Sequence, residues 1–205
     1  MIFPRLTVRR TVLTVLFLAP AVVSAQGPMS TGTTPVGTTD PFWDISVNGG
    51  AYYDAFVLDR GGTTPTAKWI GASPSGSLPG GSPDGNFSRF LYSFQTMFAG
   101  TSGMTVTYRC ARDDTFFNAM LNGATVVGAT CPGYDLSTSF TISSGFIDGL
   151  NTLQFNTGGN GITDGLIVDI TAVTTPISPV PEPTSIVLFA SGLIGIAVAA
   201  RGRKA

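Results

Sequence analysis

The stretch Phe90-Leu91-Tyr92-Ser93-Phe94-Gln95-Thr96-Met97-Phe98 decides the class of fold. Phe90, Tyr92, Phe94 and Phe98 share one parity, while Leu91, Ser93 and Gln95 hold the other. Successive side chains of an extended chain point to opposite faces, so a period of two sends the aromatic set into a core and the other set outward. The pattern recurs on both sides. Ile45 and Val47 alternate with Asp44 and Ser46, and Val106, Tyr108 and Cys110 form a further run. Leu136, Thr138, Phe140 and Ile142 alternate with Ser137, Ser139 and Thr141, and Leu166, Val168, Ile170 and Ala172 repeat the period near the end. Asn48-Gly49, Asn122-Gly123, Asp148-Gly149 and Asp164-Gly165 punctuate these runs as turns. Asn118 to Val127 reads as a hairpin folded at Asn122-Gly123, because Asn-Gly takes up the positive φ values of a type I′ turn. No stretch of the body holds a helical period. Eight or more short strands with glycine-rich turns predict an all-β fold, an antiparallel jelly roll or β-sandwich.

Around this body, taken as residues 41–173, the sequence changes character. Residues 26–40 are Gly, Ser, Thr and Pro with little to bury, and read as a flexible lead-in. Gly71 to Gly85 reads as a long internal loop, and 174–180 as a Pro/Thr linker. Residues 1–25 have the parts of a signal peptide: Arg5, Arg9 and Arg10, then an apolar run from Thr11 to Val23, then Val23-Ser24-Ala25 with cleavage expected after Ala25. An uncleaved membrane anchor is the alternative, although the run is short for a bilayer.

Charge narrows the function. Between residues 26 and 180 five cations (Arg60, Lys68, Arg89, Arg109, Arg112) face eleven aspartates, a net charge of −6. A nucleic-acid binder needs clustered cations to displace counterions, so nucleic acid is not an expected partner. Export also gives Cys110 and Cys131 an oxidising setting, where the two pair with each other; two free thiols are the alternative.

Ile186 to Ala200 is uncharged and apolar and stops at Arg201-Gly202-Arg203-Lys204. With Thr184 and Ser185 it reaches the lower limit of a spanning helix, expected over 185–200, and the basic end would stay cytoplasmic. Pro181-Glu182-Pro183, an apolar helix and a basic terminus, in that order over 181–205, resemble the PEP-CTERM sorting signal of exported Gram-negative proteins. The resemblance implies that an exosortase in the membrane recognises Pro181, Glu182 and Pro183 and removes the helix, with Arg201, Arg203 and Lys204 as its stop. It also implies delivery to the cell surface or extracellular matrix of an organism that makes exopolysaccharide or biofilm. Ala67-Lys68-Trp69-Ile70-Gly71, Ala111-Arg112-Asp113-Asp114, Leu121-Asn122-Gly123, Gly145 to Phe155 and Gly165-Leu166-Ile167-Val168 resemble strand and turn pieces of galactose-binding-like jelly rolls, a fold common among carbohydrate-binding modules.

The chain has no histidine, which removes Ser-His-Asp and Cys-His catalysis and ordinary zinc sites. Its one glutamate is Glu182, so glycoside hydrolysis would need two aspartates, and adjacent Asp113 and Asp114 diverge unless the backbone bends. Binding is the expected role, with an extracellular polysaccharide as ligand. Trp43, Tyr52, Tyr53, Trp69 and Tyr134 could offer aromatic faces, and Asp113, Asp114, Asn118 and Asn122 polar groups. Each aromatic could equally pack in the core, and Asp113-Asp114 could cap a turn. A structural calcium on Asp113 and Asp114 is a further reading; otherwise no cofactor is expected. The competing class is a purely structural surface protein without a defined ligand.

Overall fold

The computed structural model describes residues 27–176. Ten strands follow in order: β1 Thr39–Val47, β2 Tyr53–Val57, β3 Ile70–Gly71, β4 Phe90–Gly100 and β5 Thr105–Arg112. They continue with β6 Thr115–Leu121, β7 Ala124–Thr125, β8 Ser139–Ile142, β9 Gly149–Gly159 and β10 Leu166–Thr174. All pairings are antiparallel, in the order β7-β6-β9-β4-β1-β2-β3-β10-β5-β8. The sheet is curled on itself. Tyr108 of β5 meets Phe155 of β9 edge-to-face, with ring centroids 5.2 Å apart, although the two strands lie far apart in the sheet order. β1, β4, β9 and β6 therefore form one layer, and β3, β10, β5 and β8 the other, with β2 at the fold between them. From β4 onward the chain crosses from layer to layer (β4, β5, β6, β8, β9, β10), the wrapping that defines a jelly-roll-like sandwich.

The stretch 90–98 behaves as its alternation predicts. Tyr92, Phe94, Thr96 and Phe98 are buried, while Leu91 and Met97 stay about half exposed. Phe94 pairs across to Phe155, and Trp43 packs on that same ring at 6.0 Å. The hairpin forms at Asn122-Gly123 with φ of 52° and 81°, the left-handed pair that a type I′ turn needs. Cys110 and Cys131, both buried, are joined in a disulfide across 21 residues.

In β10 the alternation gives way, because Leu166, Ile167 and Val168 are all buried. Leu58, Ala67 and Trp69 of the β2–β3 connection cover the outer side of this layer and enclose Ile167 and Ala111 in a second apolar cluster. A strand covered on both faces has no reason to alternate.

The lead-in differs from expectation more sharply. Residues 27–38 are not a free leader but are bonded into the sandwich. The Thr31 amide donates to the Val168 carbonyl at 2.9 Å, the Lys68 amide donates to the Thr31 carbonyl at 2.9 Å, and Thr31 is fully buried. Gly32 N–H donates to the Asp40 carboxylate at 2.6 Å, and the Trp43 indole to the Met29 carbonyl at 2.9 Å. The segment fills backbone positions that β3, only two residues long, leaves open beside β10. It binds through backbone and hydroxyl groups, so hydrophobic periodicity does not register it. The expected signal peptide (1–25), Pro181, Glu182, Pro183, Arg201, Arg203, Lys204 and the helix over 185–200 lie outside the described residues.

Candidate functional site

The β5–β6 connection carries Asp113 and Asp114 between the two layers. Asp114 adopts φ 72°, so the backbone bends there and both side chains can serve one region. Asp113 is buried, its amide held by the Gly165 carbonyl at 3.0 Å. One carboxylate oxygen accepts from Arg60 Nη2 at 2.5 Å, and the other accepts from the Tyr134 hydroxyl. The Arg60 guanidinium lies 4.6 Å from the Trp69 ring centroid and 5.5 Å from that of Tyr134, and its Nη1 donates to the Thr163 carbonyl at 2.6 Å. Cation–π contact and ion pair together hold Arg60 in one place. The Asp113 hydrogen bond, with burial second, pushes the Tyr134 hydroxyl pKa up.

Trp69 is the floor of this stack. Its ring is 2% exposed and its indole N–H donates to the Gly61 carbonyl at 2.9 Å, so no ligand reaches its face. Tyr134, 67% exposed, is the outward face. Arg60 also lines a recess of about 270 Å³ with Asp59, Pro74, Ser75, Thr163 and Leu58.

Behind the stack lies a second carboxylate, Asp164. Tyr92 Oη donates to its Oδ2 at 2.5 Å and Gly161 N–H at 2.7 Å, while the buried Oδ1 has no partner. Gly159 is glycine for this reason: a Cβ there would run into the Asp164 carboxylate. Asp114 accepts from the Asn160 amide at 3.1 Å. Burial, then the neighbouring Asp113 and Asp164 charges, push its pKa up to about 6 against the opposing Asn160 bond. For a hard cation this leaves Asp114 and Asp164, since both oxygens of Asp113 are engaged by Arg60 and Tyr134. Among the described residues no three side chains converge as metal ligands.

The raised Asp114 pKa carries a sign. Unfolded, the group titrates near 3.8; folded, near 6, so between these values the native state binds more protons and this group's contribution to stability falls as pH rises. Asp114→Asn, which keeps an acceptor and suits φ 72°, is expected to flatten the slope between about pH 4 and 6 and to raise stability above it. Urea midpoints at each pH would show this; a variant parallel to wild type throughout would place the slope elsewhere.

The remaining candidates sit apart. Asn118 is on the outer face of β6, accepting from Asn156 Nδ2 at 2.7 Å, while Asn156 in turn accepts from Ser93 and Gln154. Asn122 is a turn residue, its amide bonded to Gly145, Asn151 and Thr152. Trp43 is fully buried, and Tyr52 and Tyr53 are about 40% exposed at the start of β2. Sequence reasoning joined Trp69 with Asp113 and missed Arg60 and Asp164. Arg60 had one legible signal, as one of only five cations in the body.

Residues 179–204 match the family model described as the PEP-CTERM protein-sorting motif. This marks the chain as an exported protein sorted at the membrane by an exosortase. No curated protein matches the chain. A family 35 carbohydrate binding module from an environmental isolate is similar over 78% of this chain and 96% of its own, at 9% identity and a TM-score of 0.34. The GH31 alpha-xylosidase of Xanthomonas citri is similar over 78% of this chain and 16% of its own, at 10% identity and a TM-score of 0.30. The fold assignment stands on the strand pairing described above.

Proposed function

We propose that this chain, which carries the PEP-CTERM motif over residues 179–204, is a surface or extracellular-matrix protein whose body associates with exopolysaccharide without catalysis. The observation that carries the reading is the Tyr134 face, 67% exposed yet held by Asp113 and Arg60 over the Trp69 floor. A sugar ring presents C–H groups to an aromatic face, and a face already immobilised loses little entropy on binding. Asp59, Ser75 and Thr163 line the adjoining recess with a carboxylate and two hydroxyls for the sugar's own hydroxyls.

Non-catalytic association is favoured because two of the carboxylates at this pole, Asp113 and Asp164, are committed. Asp113 is neutralised by Arg60, and Asp164 is 3% exposed beneath Tyr92, out of reach of a glycosidic oxygen. With no histidine in the chain, a general base would have to be Asp59 or Asp114.

Retention of the full-length exported protein on the producing organism's immobilised exopolysaccharide tests the reading. Tyr134→Ala, at an exposed position, is expected to weaken retention roughly ten-fold. No retention of wild type, or none lost in the variant, returns the protein to the purely structural class. Intact-mass analysis of surface material is expected to show loss of residues beyond about 181; a full tail there would make the terminal helix a plain anchor.

A further inference from the structure

Both ends of the described chain lie at one pole of the sandwich. Thr31 pairs with Val168, Ser30 Oγ accepts from the Ile170 amide, and Gly27 lies against Val173, so the first residues run antiparallel to β10. The chain thus starts where β10 ends. Gly103 of the β4–β5 turn meets Pro176 there, and Ser102 donates through N–H and Oγ to Asp148 at 2.7 and 3.1 Å.

Ile147 and Leu150 flank Asp148 and are 50% and 65% exposed, and Met97, diagonal to Leu150 on the outer face, is 53% exposed. Val173 adds a fourth apolar side chain at 39%. Asp148 is the single charged side chain on the connections 101–104 and 143–148 and the terminal segments 27–30 and 175–176. The opposite pole gathers Arg60, Asp59, Asp113, Asp114 and Asp164. Few charges and an exposed apolar rim therefore mark the pole from which the tail departs, whereas at the charged pole Phe87, Leu91, Phe117 and Ile162 are exposed beside ionised groups.

Four residues separate Pro176 from Pro181, and eight separate it from the expected start of the helix at 185. At full extension the nine steps to residue 185 reach roughly 30 Å, so while the tail is held in a bilayer this pole stays within about one body length of it. We propose that the pole is a membrane-contact surface: Ile147, Leu150 and Met97 enter the headgroup region of the bilayer that holds the sorting tail. This rests on the sorting reading of residues 179–204 and deepens it by assigning the body an orientation. A lipid surface is the occupant that fits, because the rim is apolar, nearly uncharged and continuous with the tail's exit. β10, nine residues at about 3.3 Å each, then sets the Tyr134 end roughly 30 Å away from the lipid, facing outward.

The full unprocessed chain, reconstituted through its tail into phosphatidylethanolamine–phosphatidylglycerol vesicles, provides the test. Leu150→Trp and Tyr134→Trp introduce an indole at either pole over the same background of Trp43 and Trp69. Brominated phospholipids are expected to quench roughly half or more of the indole emission introduced by Leu150→Trp, with a blue shift, and to leave that from Tyr134→Trp unchanged. Equal response of the two variants, or none, in chain that co-floats with vesicles overturns the lipid contact and leaves the sorting reading standing. Chain that fails to co-float overturns both. Quenching that appears only when an exosortase is co-reconstituted overturns the lipid assignment in favour of the enzyme.

Discussion

Trp43→Ala is expected to lower the unfolding free energy by about 3–5 kcal/mol, the range for a large aromatic removed from a packed core. Trp43 has no exposed surface, packs on Phe155, and donates its indole N–H to the Met29 carbonyl at 2.9 Å. The substitution leaves a cavity in the layer of β1, β4 and β9 and removes the indole bond to Met29, so it also loosens the N-terminal segment. Trp43→Phe refills most of the volume without the donor and should cost about 1–2 kcal/mol less than the alanine variant, which separates packing from hydrogen bonding. Denaturant unfolding gives the totals. Amide exchange at Thr31, bonded to Val168, reads the N-terminal segment: rapid exchange is expected in the alanine variant, and full protection there would mean that Trp43 does not anchor it.

Removing the Cys110–Cys131 bridge by paired Cys→Ala substitution is expected to cost about 3 kcal/mol, mainly by releasing the unfolded chain from a 21-residue loop. Cys110 lies in β5 and in the same core cluster as Tyr108 and Phe140, while Cys131 lies in the connection that leads to Tyr134. The bridge therefore ties the exposed face of the candidate site to the central strand of its layer. A loss of glycan retention in the bridge-less protein, beyond its loss of stability, would register that positioning. Unchanged stability in reducing and oxidising buffer would show that the bridge contributes little to the native balance.

The class of fold was legible from short-range pattern. Alternation at 90–98, the Asn122-Gly123 turn and the pair of cysteines each depend on a few adjacent residues or on simple pairing, and each appears in the structure as read. The candidate site was legible only in fragments. Trp69 and Asp113 meet through Arg60, which is 53 residues from Asp113 in the chain, and Asp164 stands three residues from the glycine amide it accepts but 72 from Tyr92. Asn118 and Asn122 have the right chemistry for a sugar site, yet their register places them on the sheet face and in a turn.

That the chain is exported and sorted at the membrane was legible in the sequence alone. Sorting signals are read as linear segments, so charge, hydropathy and Pro181-Glu182-Pro183 carry their meaning without a fold. Which aromatic faces outward was decided by the tertiary structure. Trp43, Trp69 and Tyr134 look alike as candidates along the chain, and only the way the layers close makes the first core, the second a floor and the third a surface. The same holds for residues 27–38. Their composition offers nothing to bury, and they are ordered by backbone groups that β10 and the start of β3 leave open, a vacancy that exists only once distant strands have paired. Local pattern specifies strands and the export signal; burial and charge at the site depend on contacts between residues far apart in sequence, which pattern does not contain.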